Sequence, residues 1–305
     1  MTQDEYNAHY AENVFFKNDT ICIVKNTKSG TMCFFINDNP IGMSLIANGE
    51  WAGQELDLFN MILSETSNCI DIGANIGTHT TWLSAKCKLG TIYSIEPQFN
   101  IFQILNANLV LNSCMNVFPT NAFIGSKTEN IMSQIINPYM NPAAINYGEY
   151  NKTHALWSSG EEDLEKIFLP IKKKTPVIRL DDLDIHTSID FIKIDCEGFE
   201  NDVLLSGIEL IKEFKPHLYM EHAETEYAES GIITLLESHG YNCYWHIATK
   251  HNPENYRNSS SIWGDQRFEG NIICIYKDKD VGLFTDRVLS EQDNILDWLT
   301  RNGKI

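Results

Sequence analysis

The chain has 305 residues, 43% of them hydrophobic, which suffices for one large α/β domain with additions or for two small ones. With 41 acidic against 23 basic residues, the formal charge of −18 opposes nucleic acid and anionic membranes as partners. No apolar run reaches the length of about 18 residues that a membrane span needs, and the acidic start Met1–Tyr6 is expected to be no secretory leader.

Residues 1 to about 20 are polar and read as a loose lead-in. Thr20–Val24 and Thr31–Ile36 are β-rich, and Asn26-Thr27-Lys28-Ser29-Gly30 between them predicts a hairpin. Pro40 to Asn48 carries no clear pattern. Gln54 to Leu63 is expected to be helical, with Leu56, Phe59, Ile62 and Leu63 on one face. Residues 1–48 would form a small β-rich cap, with edge protection of a sheet as its expected role and cover for the site as the alternative.

Cys69 to Pro97 is the most informative stretch. Ile70 and Ile72 fit a buried strand, Gly73 and Gly77 flank a tight turn, and Thr78–Ala85 fits a helix with Trp82, Leu83 and Ala85 inward. Thr91–Ile95 is a second strand, ended by Glu96-Pro97. Strand, glycine turn, helix and strand make a βαβ unit for a nucleoside-like ligand. Glu96 lies 19 residues past Gly77, a spacing that suits a carboxylate accepting both ribose hydroxyls. Asn75 stands where a dinucleotide fingerprint needs its middle glycine, which disfavours NAD. Asp71 would repel a phosphate beside the turn but suits a cationic amino acid or a sulfonium. Asp-x-Gly-x-Asn-x-Gly with the acidic strand end resembles the first two motifs of a class I S-adenosylmethionine-dependent methyltransferase.

Further along, Ile101–Leu111 is expected to be a helix with Phe102, Leu105, Leu109 and Leu111 in the core, and Val117–Pro119 a third strand. Residues 125–176 form an insertion longer than an ordinary loop, a place for substrate contacts, with Lys172-Lys173-Lys174 solvated. Ile189–Ile194 is an apolar strand carrying Lys193, followed by a single helix from Asn201 to about Phe214. His217–Met220, Tyr241–His246 and Asn271–Tyr276 read as strands, Ile232–His239 as a helix, and 281–305 as a tail with a helix near Ile295–Leu299. Residues 49–280 are expected to be the main domain. The eight cysteines include no Cys-x-x-Cys pair and lie mostly in apolar runs, which disfavours zinc and points to a reducing, cytoplasmic setting.

Cys69–Gly77, Glu96-Pro97, Leu180-Asp181-Asp182-Leu183, Asp190 to Glu200 with its Ile-Lys-Ile-Asp-x-Glu-Gly-x-Glu core, and Pro216 together resemble the FkbM family of methyltransferases. The resemblance covers roughly residues 50 to 276. It implies an α/β, Rossmann-like fold with a seven-stranded, mostly parallel sheet, one antiparallel strand and helices on both faces. It also implies O-methylation of a secondary metabolite or of a sugar hydroxyl in a glycan.

Ligands of open α/β sheets bind beyond the carboxyl ends of the strands, so Asp71, Glu96, Asp195 and Glu221 are expected to converge on one crevice. Gly73, Asn75 and Gly77 would shape the methionine pocket, and Glu96 would hold the ribose. Asn121 and Ala122 would face the adenine, and Asp71 and Asp195 would complete the cofactor set. An alcohol needs a base, for which Asp195, Glu197 and His222 are candidates beside His246. Asp195, Glu197 and Glu221 form an alternative oxygen set for Mg²⁺ or Mn²⁺. Trp263, Tyr256 and Asn255 suit either a sugar contact or loop anchoring. The alternatives are a cofactor-binding protein without turnover, and a methyltransferase of another small metabolite.

Overall fold

The computed structural model describes residues 1–137, 168–196, 198–221, 231–249, 251–262, 268–288, 290 and 293–304. The polar start is not loose: it forms helix α1 (Gln3–Asn13). A capping box begins it, the Thr2 hydroxyl accepting from the Glu5 N–H while the Glu5 carboxylate accepts from the Thr2 N–H. Its apolar side amounts to Tyr6 and Tyr10, half-buried on the neighbouring core, so hydrophobic periodicity does not announce it.

Strands β1 (Val14–Lys17), β2 (Ile21–Thr27) and β3 (Gly30–Phe35) form an antiparallel sheet, with the expected hairpin between the last two. Pro40–Asn48, patternless in sequence, contains helix α2 (Ile41–Ala47). Cys22, Val24, Met32, Phe34 and Leu45 form a core that also takes in Ile76, Ile101 and Ile104. The cap therefore shares its interior with the glycine turn. Helix α3 (Gly53–Ile62) follows and buries Leu56 and Phe59 against Cys69, Phe191 and Tyr219.

The central sheet has seven strands. In chain order it contains β4 (Cys69–Ile72), β5 (Ile92–Ile95) and β6 (Val117–Thr120). The insertion and its flanking residues supply β7 (Phe123–Ile124), β8 (Glu129–Ile136) and β9 (Phe168–Ile178), a separate three-stranded sheet; residues 138–167 lie outside the described residues. β10 (Phe191–Ile194), β11 (His217–Glu221), β12 (Tyr241–Thr249) and β13 (Phe268–Tyr276) complete the main sheet. Its order is β12-β13-β11-β10-β4-β5-β6, with β13 antiparallel to both neighbours. The inner strands are short continuous apolar runs, as expected when both faces are covered.

One face carries α3 and α4 (Thr78–Lys86). The other carries α6 (Glu200–Ser206), α7 (Ile208–Phe214) and α8 (Ile232–Ser238), while α5 (Phe99–Leu111) packs beside the cap. The single helix expected from Asn201 is broken at Gly207, where a Cβ would lie 2.4 Å from the Leu180 side chain. Leu105 and Leu109 of α5 are buried as expected, whereas Phe102 is only half-buried and Leu111 is exposed, because the inward face runs through Ile101, Ile104 and Asn108. In α4, Leu83 points inward as expected, Trp82 is half-buried and Ala85 is exposed. The tail helix α9 (Ile295–Arg301) buries Leu299. No helix among the described residues is long and apolar enough to cross a membrane.

Register decides what reaches the crevice. Ser94, Asp71, Lys193 and Tyr219 are lateral partners across β5, β4, β10 and β11, so the four share the α3/α4 face. Two residues further, Glu96, Gly73, Asp195 and Glu221 continue that row at the strand ends. The turn is held to the cap by Asn108, which is fully buried. Its carboxamide accepts from the Cys33 N–H (2.6 Å) and donates to the Cys33 and Ile76 carbonyls (2.9 and 2.7 Å). Asn108→Ala should cost about 3 kcal/mol in urea unfolding, since it strands buried backbone groups; a variant as stable as the parent would remove this link from the account.

Candidate active site

β4 ends at Ile72 and the chain turns into α4 through three residues of positive φ: Gly73 (77°), Asn75 (51°) and Gly77 (90°). At Gly73 a Cβ would lie 1.7 Å from the Asp195 carbonyl oxygen, so two strand ends meet there only without a side chain. Asn75 is the residue type that tolerates this conformation. The Gly73 and Ala74 N–H groups both donate to the Ile95 carbonyl (3.0 Å each), which pins the turn to the end of β5.

Glu96 bridges the turn and the start of α5. One carboxylate oxygen accepts from the Asn75 N–H at 2.9 Å, the other from the Gln98 N–H at 2.7 Å. Burial pushes its carboxyl up to about 7; the two N–H groups oppose the rise, and the charges of Asp71 and Asp195 add to it.

Beneath the turn lies a charge cluster, buried at Lys193 and Asp71 and open to the cavity at Asp195. Lys193, 2% exposed, places its ammonium 3.0 Å from Asp195 and 3.7 Å from the fully buried Asp71. Asp71 also accepts from the Thr80 hydroxyl at 2.6 Å. Burial opposes the Lys193 charge, but the carboxylates of Asp195, Asp71 and Glu55 outweigh it and hold the ammonium above the ordinary lysine range. Glu55 of α3 pairs with His79 at 3.1 Å and accepts from Asn271 at 3.3 Å. Beyond it, the Tyr219 hydroxyl meets His246 Nδ1 at 2.8 Å, and burial lowers the His246 pKa.

Above this cluster opens a cavity. The turn residues Gly73, Ala74 and Asn75 form its floor with Thr78 and His79. Glu96, Pro97, Gln98 and Ile101 form one wall, and Ala122, Phe123 and Ile124 the next. Lys193, Asp195, Cys196 and Phe199 close the far side, and Pro40, Ile41 and Trp51 reach in from the N-terminal segment. Pro40 and Ile41 belong to the expected cap, which therefore contributes wall to the cavity.

Of the residues expected to bind cofactor, Gly73, Asn75, Glu96, Ala122 and Asp195 line the cavity. Gly77 lies behind it as the N-cap of α4, where a Cβ would strike Leu105. Asn121 sits behind the wall, donating to the Glu96 and Pro97 carbonyls at 2.9 Å each. The expected convergence of four acids reduces to two on the wall, Glu96 and Asp195. Asp71 is one register row too early and is spent on Lys193 and Thr80, while Glu221 ends β11 opposite Asn271. Glu197, His222 and Trp263 lie outside the described residues. Among the described residues no group of three or more His, Cys, Asp or Glu is placed to hold a metal ion.

Lys173 is not solvated like its neighbours: its ammonium lies 3.8 Å from the centre of the Phe99 ring and donates to Asn121. Asn255 is a buried loop anchor, donating to the Asn252 and Ser259 carbonyls, and Tyr256 is exposed. Sequence reasoning missed Glu55, Gln98 and Trp51 and assigned Lys193 no role. Two of these had a signal. Glu55 is one helical turn before the buried Phe59, and Lys193 is a charge inside a strand apolar on both sides.

A family model described as the methyltransferase FkbM domain matches residues 71–243. Among solved structures, the methyltransferase FkbM from Methylobacillus flagellatus KT is 18% identical, with 70% of this chain and 44% of that chain covered and a TM-score of 0.41. This chain thus spans less than half of that one. The precorrin-6y C5,15-methyltransferase from Geobacter metallireducens GS-15 is 14% identical, with 73% and 87% covered and a TM-score of 0.42. M. jannaschii TYW2, solved in complex with AdoMet, is 14% identical, with 85% and 87% covered and a TM-score of 0.43. No curated protein sequence matches significantly.

Lys193→Met should destabilise the fold by about 3–5 kcal/mol in urea unfolding, because it leaves Asp71 buried without its cation. Parent-like stability would show that the cluster does not hold these strands together.

Proposed function

This chain belongs to the FkbM methyltransferase family, and from that premise we propose that it transfers a methyl group from S-adenosylmethionine to a hydroxyl of a sugar or glycan precursor. The observation that carries the reading is the buried Glu96 carboxylate at the end of β5, closed over a turn that admits no Cβ at Gly73. The cavity fits such a donor. Glu96 offers remaining lone pairs to ribose hydroxyls, and Pro97, Ile101, Ala122 and Phe123 offer apolar wall to a base. Lys193 and Asp195 offer both signs of charge to an amino-acid tail.

When bound, the donor supplies a methyl group already activated on a sulfonium. The chain's share is to position the acceptor hydroxyl and to take its proton. Asp195 engages Lys193 through one oxygen and turns a side chain 41% exposed toward the cavity, so its other oxygen is the proposed proton acceptor. Glu197 and His222 share that proposal. The pairing with Lys193 also orients Asp195.

A neighbouring cavity shares Phe123, Ile124 and Phe199 with the first and provides room for the acceptor. Ser126, Ser133 and Gln134 line it together with Lys127, Lys172, Glu129 and Asp202. Ile131, Met132 and Val177 add apolar wall, and this mixture of apolar surface with hydroxyl, amide and balanced charged groups is compatible with a sugar, which has both polar edges and apolar faces. The eight cysteines are free, in keeping with the proposed cytoplasmic setting.

Isothermal titration should show one S-adenosylhomocysteine bound per chain and no NAD; the reverse would defeat the donor assignment. Affinity should rise between about pH 6 and about pH 8, because ionisation of Glu96 near 7 replaces a protonated carboxyl with one that only accepts. Glu96→Gln should flatten that profile, and an unchanged slope would remove Glu96 from the contact. Asp195→Ala should lower turnover of a sugar acceptor by at least about 100-fold with a smaller loss of donor affinity; unchanged turnover would exclude Asp195 as the base.

A further inference from the structure

The side chain of Gln98 has no role in anything described so far, and its environment is anomalous. It is the N-cap of α5, a helix of 13 residues, yet its side chain makes no capping bond. It is 4% exposed and lies on the cavity wall. Both atoms of its carboxamide, Oε1 and Nε2, are buried without a hydrogen-bond partner. A buried amide that satisfies neither its donor nor its acceptor is rare and costly, and calls for a reason.

The surroundings do not provide partners. The two Glu96 oxygens accept from backbone N–H groups, and the Asn121 amide donates to the Glu96 and Pro97 carbonyls. The adjoining wall is Pro97, Ile101, Ala122 and Phe123. Partners must therefore come from what the cavity takes in. The backbone N–H of Gln98 donates to Glu96, so its side chain starts beside that carboxylate, on the same stretch of cavity wall.

We propose that Gln98 is a ligand-binding residue and that its carboxamide acts with the Glu96 carboxylate to take the vicinal hydroxyls of the donor's ribose. This rests on the donor reading above and deepens it. The chemistry divides cleanly. A carboxylate only accepts, so Glu96 takes a hydroxyl that donates. A carboxamide both donates and accepts, which is what the second hydroxyl needs. A neutral partner also fits the electrostatics, since Asp71 and Asp195 already press on Glu96 and another acid at position 98 would add to that load. A ligand without the diol would leave the amide stranded, so Gln98 makes the pocket selective for an intact ribose.

The test compares the parent with Gln98→Leu, which keeps the shape and removes the amide. S-adenosylhomocysteine and its 2′,3′-dideoxy analogue are titrated into both, and thermal unfolding is recorded without ligand. The variant should bind S-adenosylhomocysteine roughly tenfold more weakly. The two proteins should bind the dideoxy analogue equally. The ligand-free variant should unfold no earlier than the parent, because an unsatisfied buried group has been deleted. Equal binding of S-adenosylhomocysteine by both proteins would overturn the inference while leaving the donor reading intact. A penalty that persists with the dideoxy analogue would place the amide on the base instead and also overturn it. A drop of several degrees in the ligand-free variant would show the amide to be satisfied within the fold, with the same consequence. A parent that binds no S-adenosylhomocysteine would bring down the donor reading and this inference together.

Discussion

The meeting of two backbone segments at Gly73 and Asp195 is the constraint on which the rest depends. β4 and β10 are parallel neighbours, and their extensions come so close that one of them can carry no side chain. The same register stacks Lys193 beside Asp71 one row earlier, where their charges are sealed from water. The strand ends are thus held by packing above and by an ion cluster below. Into that frame Glu96 folds back from β5 and captures the turn through the Asn75 N–H. The residues that make the cavity polar are also those that keep its floor rigid, which is what positioning a reactive donor requires.

The N-terminal segment is part of this frame. Its core takes in Ile76 from the turn and Ile101 and Ile104 from α5, and Trp51 reaches the cavity. Glu50, buried one residue earlier, accepts from the Asn252 side chain and the Tyr256 N–H at 2.9 and 3.1 Å. Burial raises the Glu50 pKa, with Asn252 and Lys28 opposing the rise. The loop after β12 is thereby fastened to the segment before α3. A change in the cap would reach the cavity through shared packing.

Much of this was legible in the sequence, and the boundary of legibility has a physical cause. Gly73, Asn75, Gly77 and Glu96 lie within one βαβ unit, where local spacing fixes local geometry. Strand identities followed from short apolar runs, and the mostly parallel arrangement was what the resemblance to the FkbM family implied. Asp71 was misread because its position beside the turn was visible, whereas its register partner Lys193 lies more than a hundred residues away. Glu55 and Trp51 reach the site only through tertiary packing. Phe102 and Leu111 of α5 looked like core because they are apolar; the buried face in fact runs through Asn108, whose three hydrogen bonds make a polar residue interior. Gln98 was hidden for another reason: a residue's importance cannot be read from its type when the signal is the absence of partners around it.

The most direct measurement is a crystal structure of the chain soaked with S-adenosylhomocysteine. Density for the ligand is expected in the cavity above Gly73 and Asn75, with the ribose against Glu96 and the amino-acid end toward Lys193 and Asp195. Ligand density at another place, or none in this cavity at saturating concentration, would contradict the donor assignment.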